Sequence, residues 1–182
     1  GEGGVRALLG EGRRDESGDF TKGAGLSAGE DNLCLRAARS FGLSRGARIT
    51  LLNHLPVASG FGGGSADAAA MARLLRTHFL PELGDAALAR IVSPLGADIA
   101  ACVASATCLG VGVGEELSAV PELQLAGTPV LLVNPRQPVA TGPVFAAWDG
   151  IDRGPLFTGA DLRAGLFSAR NDLQRPAIAQ CP

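Results

Sequence analysis

Four glycines stand within five residues of the chain, at positions 60, 62, 63 and 64, directly before the hydroxyl of Ser65. Glycine lacks a Cβ atom, so such a segment can adopt positive φ angles and turn several backbone N–H groups toward one anion. The alanine-rich run that follows predicts a helix from Ser65 to Phe79, whose positive dipole end favours the same anion. We therefore predict a phosphate-binding loop. Ser65 is expected to be the N-cap, with its hydroxyl on an early amide, a phosphate oxygen or a metal ion.

Established phosphate-binding motifs differ from this loop in specific ways. A Walker A loop requires a lysine after its last glycine, and the only lysine of the chain is Lys22. A dinucleotide-binding fingerprint follows its strand directly, whereas residues 54–59 separate this loop from the predicted strand. The acid expected downstream, Glu82, also lies beyond a helix. A purely structural role stays open, because glycine and alanine let a loop and a helix pack closely.

A single acid, Asp98, stands in the otherwise uncharged segment 94–104, which is predicted to be a turn followed by an apolar run. An acid in such surroundings can orient and deprotonate an attacking hydroxyl. It can equally cap a helix or pair with an arginine. The residues alone leave both roles open.

The remaining elements follow from hydrophobic periodicity and from turn residues. In the helix after the glycine loop, Arg73 and Arg76 are expected to face water, and Asp67 is expected in the first turn, where a carboxylate suits the dipole. Residues 1–29 are expected to be irregular or a frayed strand. Helices are predicted at 31–41, 85–92, 141–148 (with Thr141 as a cap) and 161–167, and a further helix is expected to begin within 171–182. Strands are predicted at 47–52, 107–113 and 129–133.

Composition excludes several classes of function. The net charge of -2 and the pI near 5.7 provide no basic field for nucleic acid, so a small-molecule partner is expected. No run reaches the ~18–20 apolar residues of a membrane span, and the first residues lack a signal-peptide core. The four cysteines form no CxxC pair, so no metal-ligand set is predicted. We expect a cytoplasmic protein with free, mostly buried thiols.

The segment 56–69, PVASGFGGGSADAA, resembles the PxxxGLGGGSSDAA loop of the GHMP small-molecule kinases, and specifically of the 4-diphosphocytidyl-2-C-methyl-D-erythritol kinase family. DNLCLRAAR resembles that family's DNL-x-x-RAA helix, LGADIAACV its LGADVP segment, and GVGEELSAV its GxGExL turn. TGPVF and the terminal NDL also resemble it, and the similarity covers about residues 26–182. The resemblance implies an α+β GHMP kinase fold, with a ribosomal-protein-S5-like N-terminal domain and the start of a ferredoxin-like C-terminal domain.

The resemblance also implies a function. The chain would use ATP and Mg²⁺ to phosphorylate a hydroxyl of 4-diphosphocytidyl-2-C-methyl-D-erythritol in non-mevalonate isoprenoid biosynthesis, with Asp98 as the catalytic base. Thr141 and Phe145 fall where the family contacts the cytidine end, and Phe145 would either stack on the base or belong to the core. The implied ATP loop consists of Pro56, Val57, Ala58, Ser59, Gly60, Phe61, Gly62, Gly63, Gly64, Ser65 and Ala66.

Two departures from the family pattern affect this loop. Ala66 replaces a second serine, and a lost hydrogen bond to a charged phosphate would cost about 1.5–3 kcal/mol. Asn53 and His54 stand where the family often has a cation. A protonated His54 would partly substitute for it, whereas a neutral one would be an ordinary loop residue.

The family also begins with a lysine-containing strand whose lysine partners the catalytic aspartate, and this sequence has no matching segment. We therefore expect an irregular segment over 1–29, a partial N-terminal domain with the ATP loop over 30–127, and the start of a C-terminal domain over 128–182. Slow or absent turnover is expected from such a chain. The alternatives are a catalytically impaired nucleotide-binding module of the same fold and another GHMP kinase. The sequence gives no indication of the oligomeric state.

Overall fold

The chain divides into two compact units in the computed structural model. The first comprises Gly1–Val57 and Phe61–Val120, and the second Ala58–Gly60 and Pro121–Pro182. The predicted assignment of 128–182 to a separate C-terminal domain stays a prediction. The structure describes residues 4–9, 29–44, 47–52, 60–114, 116–120, 127–131, 133–134, 137–155 and 162–181.

Helix α1, Leu33–Ser40, forms where the apolar periodicity predicts it. Its N-cap is Asn32, whose Oδ1 accepts a hydrogen bond from the Cys34 N–H at 2.9 Å. This bond satisfies one of the amides that a helix start leaves without a partner. Cys34 and Ala37 are buried on one face, which turns this helix toward the core.

Helix α2, Gly63–Phe79, begins two residues before the predicted start. Gly62 is its N-cap, in the left-handed conformation at φ 66° and ψ 20°. Ser65 is therefore the third helical residue, and the prediction that it is the N-cap was wrong. Asp67 likewise lies beyond the first turn. The buried face of α2 consists of Ala68, Ala69, Met71, Ala72 and Leu75.

Helix α3, Asp85–Val92, has the predicted bounds, because Pro81 and Gly84 separate it from α2. A 3₁₀ turn over Ser93–Leu95 leads to helix α4, Asp98–Ala104. The sequence indicated only an apolar run here. The helix buries Ile99, Ala100 and Val103.

Two arginines of α2 do not behave as predicted. Arg73 and Arg76 were expected to face water, but both are half-buried and hydrogen-bonded. Arg76 pairs with Asp85 at the start of α3, and Arg73 donates to backbone carbonyls of α4. The expectation failed because these acceptors come from segments that are distant in sequence.

Strands β1, Gly4–Leu9, and β2, Ala47–Leu52, pair antiparallel, with Gly4 opposite Leu52 and Leu9 opposite Ala47. The strand over Ala47–Leu52 was predicted. Of the two alternatives expected for residues 1–29, irregular structure or a frayed strand, the structure shows a strand over Gly4–Leu9, which is stabilised by pairing with β2. Strands β3, Cys108–Val111, and β4, Glu116–Ala119, form a second antiparallel pair around a glycine-rich turn, and only the first of them was predicted.

The core of the first unit has two clusters that meet at α2. One joins the alanine face of α2 to α1, α3 and α4, and the other joins α1 and α2 to β2. Small side chains on α2 allow close helix contacts, and the larger Leu, Ile and Met fill the remaining space. The first cluster contains Ala37, Ala68, Ala69, Ala72, Leu88, Val92, Ile99 and Val103; the second contains Cys34, Ile49, Leu51, Met71 and Leu75.

The second unit contains helices α5, Thr141–Ala146, α6, Leu162–Ser168, and α7, Gln174–Gln180. All three were indicated by the sequence, but α5 is capped by Ala140, so Thr141 is its first residue. The predicted strand at 129–133 was wrong for the residues that are described there, which form no ladder. Val130, Leu131 and Val133 are instead strongly exposed. Strand formation requires a partner strand, and the described part of this unit supplies none.

Within the described ranges, every helix is too short or too polar to cross a membrane.

Candidate phosphate-binding and catalytic site

The loop before α2 adopts the backbone that its glycines permit. Gly60 has a φ of 76° and Gly62 a φ of 66°, both in the left-handed region that side chains disfavour. A Cβ atom added at either position would meet nothing within 4 Å. The need for glycine at these two positions is therefore conformational and does not come from crowding.

The start of α2 presents several amides to the outside of the helix. The first helical hydrogen bond runs from the Ala66 N–H to the Gly62 carbonyl at 2.9 Å. The amides of Gly63, Gly64 and Ser65 precede it and so have no partner within the helix. Together with the dipole of a 17-residue helix, they form an environment that suits an anionic oxygen.

Gly64 has a different role from Gly60 and Gly62. A Cβ atom at this position would lie 3.3 Å from Cδ1 of Leu33 on α1, which is tighter than ordinary contact. Gly64 therefore allows α1 and the start of α2 to pack closely. The conformational and packing roles that the sequence left open both apply, but at different glycines.

Phe61, Ser65 and Ala66 are the other predicted loop residues that the structure describes. Phe61 and Ala66 are exposed beside the helix start, and Ser65 is half-buried in its first turn. Their predicted contacts with a nucleotide stay predictions. Four residues of the predicted loop, Pro56, Val57, Ala58 and Ser59, lie outside the described residues, as do Asn53 and His54.

Asp98 is the first residue of α4, and its side chain is exposed. Ala97, the residue before Asp98, lies against the turn between β3 and β4. A Cβ atom at Gly114 in this turn would lie 3.5 Å from the Ala97 carbonyl oxygen. Gly114 adopts a φ of 96°, which only glycine takes readily. The GxGE turn and the GAD segment are therefore in contact, and Asp98 projects from a supported helix start.

The Asp98 carboxylate also influences the next turn of its own helix. The pKa of the Cys102 thiol is raised, first by burial and then by the negative charge of Asp98, while Arg73 acts in the opposite direction. Residues four apart on a helix are neighbours, which explains the effect of Asp98 on Cys102. This thiol is thus kept protonated beside the candidate base.

The sequence predicts for Asp67 only a favourable interaction with the dipole of α2. In the structure its side chain is half-buried, and burial raises the pKa of its carboxyl group. The pKa of the Cys34 thiol is raised to about 12, by burial and then by the charge of Asp67. The position of Asp67 directly before the buried Ala68 was the signal for its partial burial.

The two helices that begin at the candidate groups share one core. Ala68, Ala69 and Ala72 of α2 belong to the same cluster as Ile99 and Val103 of α4. The first unit therefore holds the glycine-loop helix and the Asp98 helix in direct packing contact. Buried side chains hold these two helices together.

The predicted cytidine-contacting residues lie in the second unit. Thr141 is exposed at the start of α5, and Phe145 is 62% exposed on the same helix. Phe145 is therefore not a core residue, which removes one of its two predicted roles. Stacking on a base stays a prediction for it.

All four cysteines are free, with Cys34 buried and the other three partly buried. In the part of the chain that the structure describes, no group of three or more His, Cys, Asp or Glu side chains is arranged to hold a metal ion.

Comparison with known proteins agrees with this geometry. The family model for the GHMP kinases N terminal domain matches residues 32–106, a range that includes α1, α2 and the whole of α4. Over 171 residues the chain is 68% identical to the 4-diphosphocytidyl-2-C-methyl-D-erythritol kinase of Sphingopyxis alaskensis. Residues 32–106 thus match a GHMP kinases N terminal domain. The α+β fold with a GHMP kinase N-terminal domain is thereby confirmed.

Other relatives of this chain carry the same name. It is 51% identical over 166 residues to the 4-diphosphocytidyl-2-C-methyl-D-erythritol kinase of Novosphingobium aromaticivorans, covering 91% of this chain and 55% of that protein. A crystal structure of 4-(cytidine 5'-diphospho)-2C-methyl-D-erythritol kinase superposes with a TM-score of 0.65 at 27% identity, over 98% of this chain and 65% of that one. The Sphingopyxis match covers 91% of this chain and 60% of that enzyme. The chain thus spans about 60% of the length of the relatives it matches.

Proposed function

We propose that this chain is a GHMP kinase, which transfers the terminal phosphoryl group of ATP to a hydroxyl of 4-diphosphocytidyl-2-C-methyl-D-erythritol in the non-mevalonate route to isoprenoid precursors. The observation that carries the proposal is the shared core of α2 and α4, which places a glycine-loop helix start and an acid-bearing helix start in one packed domain. The names of the relatives supply the substrate.

The loop from Pro56 to Ala66 binds the phosphates of ATP in this proposal. The amides of Gly63, Gly64 and Ser65 donate to phosphate oxygens, and the dipole of α2 stabilises the negative charge. The left-handed conformation of Gly62 sets the backbone that leads directly into these amides. Because they are fixed before the nucleotide arrives, little reorganisation is needed when charge develops in the transition state.

Asp98 serves as the catalytic base. It orients the attacking hydroxyl and accepts its proton as the oxygen bonds to phosphorus, which is the role an acid has in kinases. Its exposed position at the start of α4 leaves the carboxylate accessible to a substrate. The β3–β4 turn against Ala97 limits the movement of this helix start.

Mg²⁺ fits this site as a cation that arrives with the nucleotide. Magnesium is commonly held by one or two protein groups together with phosphates and water, so a dedicated cage of side chains is not required. The Ser65 hydroxyl beside the exposed amides is the protein group that would hold it. When bound, the ion neutralises charge on the phosphates that are being separated.

The cytidine end of the substrate is assigned to Thr141 and Phe145. The exposed ring of Phe145 provides an apolar face on which a base can stack, and the Thr141 hydroxyl is available for a hydrogen bond. Four free thiols also fit a protein that works in the reducing cytoplasm.

The experiment is a comparison of hydroxyl acceptors. The purified chain is incubated with ATP and Mg²⁺ and with 4-diphosphocytidyl-2-C-methyl-D-erythritol, mevalonate or homoserine, and ADP and the phosphorylated product are quantified. We expect slow turnover, and only with the cytidine-linked substrate. Preference for mevalonate or homoserine would refute the substrate assignment. Nucleotide binding without turnover on any acceptor would show an impaired binding module instead.

A matched pair of variants tests the cytidine contact. Phe145→Leu should raise the KM for the cytidine-linked substrate without changing the KM for ATP. Phe167→Leu, on another exposed phenylalanine of the same unit, should change neither value. An unchanged substrate KM in Phe145→Leu would remove Phe145 from the site.

A further inference from the structure

Arg73 makes an unusual contact for a residue near the middle of a helix. Its Nη1 donates to the backbone carbonyl of Cys102 at 2.6 Å and to that of Val103 at 3.4 Å. Both carbonyls belong to the last turn of α4, where helical acceptors run out of amide partners. A cation at this end also complements the helix dipole. Arg73 therefore caps α4 from the side of α2.

The neighbouring arginine shows that this contact is specific. Arg76 lies about one turn further along α2, is half-buried like Arg73, and reaches Asp85 on α3 instead. Both side chains connect α2 to another helix of the same unit. Only the helix that each one holds differs, which makes Arg76 a matched control for Arg73.

The packing of α2 on α4 explains why such a connection matters. The contribution of α2 to their shared core is Ala68, Ala69 and Ala72, whose short side chains give a smooth surface with little interlocking. A smooth contact opposes separation of two helices more strongly than sliding along their axes. The directional hydrogen bonds of Arg73 add an axial restraint to this contact.

Asp98 lies at the opposite end of the same helix. α4 has seven residues, so at about 1.5 Å per residue its two ends move together as one short rigid segment. The axial position of the Cys102 and Val103 carbonyls therefore sets the axial position of Asp98. A displacement of about 1 Å in a catalytic group is enough to reduce turnover strongly.

We propose that Arg73 is a positioning residue for phosphoryl transfer. Its hydrogen bonds to the end of α4 fix the axial position of this helix, and so the distance between the Asp98 carboxylate and the attacking hydroxyl of the substrate. The inference rests on the proposed function of Asp98 as the base. Arg73 itself contacts neither the nucleotide nor the acceptor in this account, so its effect is on turnover and not on nucleotide binding.

The test uses Arg73→Met, Arg73→Lys and the control Arg76→Met. For each, kcat with the cytidine-linked substrate, the Kd for ATP and the melting temperature are measured. Arg73→Met should lower kcat at least tenfold while the Kd for ATP changes less than threefold. Arg73→Lys, which keeps a donor and the charge, should recover part of kcat. Arg76→Met should leave kcat within about twofold, even where its melting temperature falls as far as that of Arg73→Met.

Three results would overturn the proposal: unchanged kcat in Arg73→Met, an equal loss in Arg76→Met, or a parallel loss of ATP affinity. Amide hydrogen exchange separates this proposal from the proposed function. Arg73→Met should accelerate exchange over the amides of Cys102 to Ser105, whereas Arg76→Met should not. If no variant and no parent chain turns over, the proposed function fails, and the exchange data still decide whether Arg73 fixes α4. Equal exchange in both variants would refute that restraint.

Discussion

Replacement of Gly62 by alanine should weaken ATP binding much more than a comparable change elsewhere. Gly62 has a φ of 66° and a ψ of 20°, and a Cβ atom there would touch nothing within 4 Å. The cost of alanine is therefore purely conformational, about 1–2 kcal/mol for a left-handed residue. The chain can avoid this cost by moving Gly62 to a negative φ, which redirects the amides of Gly63 and Gly64.

Gly42 provides the matched control. Its φ is 59°, and a Cβ atom there also meets nothing within 4 Å, but it follows α1 and lies outside the loop. Gly62→Ala and Gly42→Ala should each lower the free energy of unfolding by about 1–2 kcal/mol. Loss of one amide-to-phosphate hydrogen bond costs about 1.5–3 kcal/mol, so ATP affinity should fall at least tenfold in Gly62→Ala only.

Urea unfolding gives the stability of each variant, and calorimetric titration with ATP and Mg²⁺ gives the affinity. Wild-type ATP affinity in Gly62→Ala, together with the expected loss of stability, would show that the loop amides do not bind phosphate. An equal loss of affinity in Gly42→Ala would show that general destabilisation is responsible.

Three further predictions concern neighbouring side chains. Ala66→Ser should tighten ATP binding about tenfold or more, because it supplies a hydroxyl at the start of α2. Ala86→Ser, on the exposed first turn of α3, should leave the Kd for ATP unchanged. Equal Kd values for ATP in the two variants would contradict this prediction. Asp67→Asn should increase stability at pH 7. Burial raises the carboxyl pKa in the folded state, so ionisation opposes folding, and this penalty is full above the folded pKa and relieved as the pH falls toward the unfolded value. The variant should therefore be more stable than the parent at pH 7, and the difference in the free energy of unfolding should shrink at pH 4. An equal difference at both pH values would refute the raised pKa of Asp67. Cys34, buried and with its pKa raised to about 12, should resist iodoacetamide at pH 8 far longer than the partly exposed Cys181, as read by peptide mass spectrometry; equal rates would contradict its burial.

Local patterns predicted most helices of this chain. The bounds of α3 follow directly from Pro81 and Gly84 before it and from the apolar spacing within it. The start of α2 was misplaced by two residues, because nothing in a run of glycines indicates which one takes the left-handed N-cap position. Ser65 is a good capping residue in isolation, but the backbone of Gly62 determines where the helix begins.

Features that depend on distant segments could not be predicted in this way. Arg73 has the polarity of a surface residue, and only the packing of α4 on α2 places carbonyl acceptors beside it. The apolar run 129–133 has strand composition, but composition does not supply a partner strand. For the site, the glycine loop and Asp98 were identified from residue types and a family resemblance, and their common core became evident only from the fold.

The most direct test of the account is the effect of Asp98→Asn on binding and on turnover. The amide keeps the size of the side chain at the start of α4 but cannot accept the proton of the attacking hydroxyl. We predict that the Kd for ATP stays within threefold of the parent value while kcat with 4-diphosphocytidyl-2-C-methyl-D-erythritol falls by about 10²–10⁴. Glu82→Gln, on an exposed acid after α2, should change neither value. Turnover by Asp98→Asn at the parent rate would contradict the assignment of Asp98 as the base.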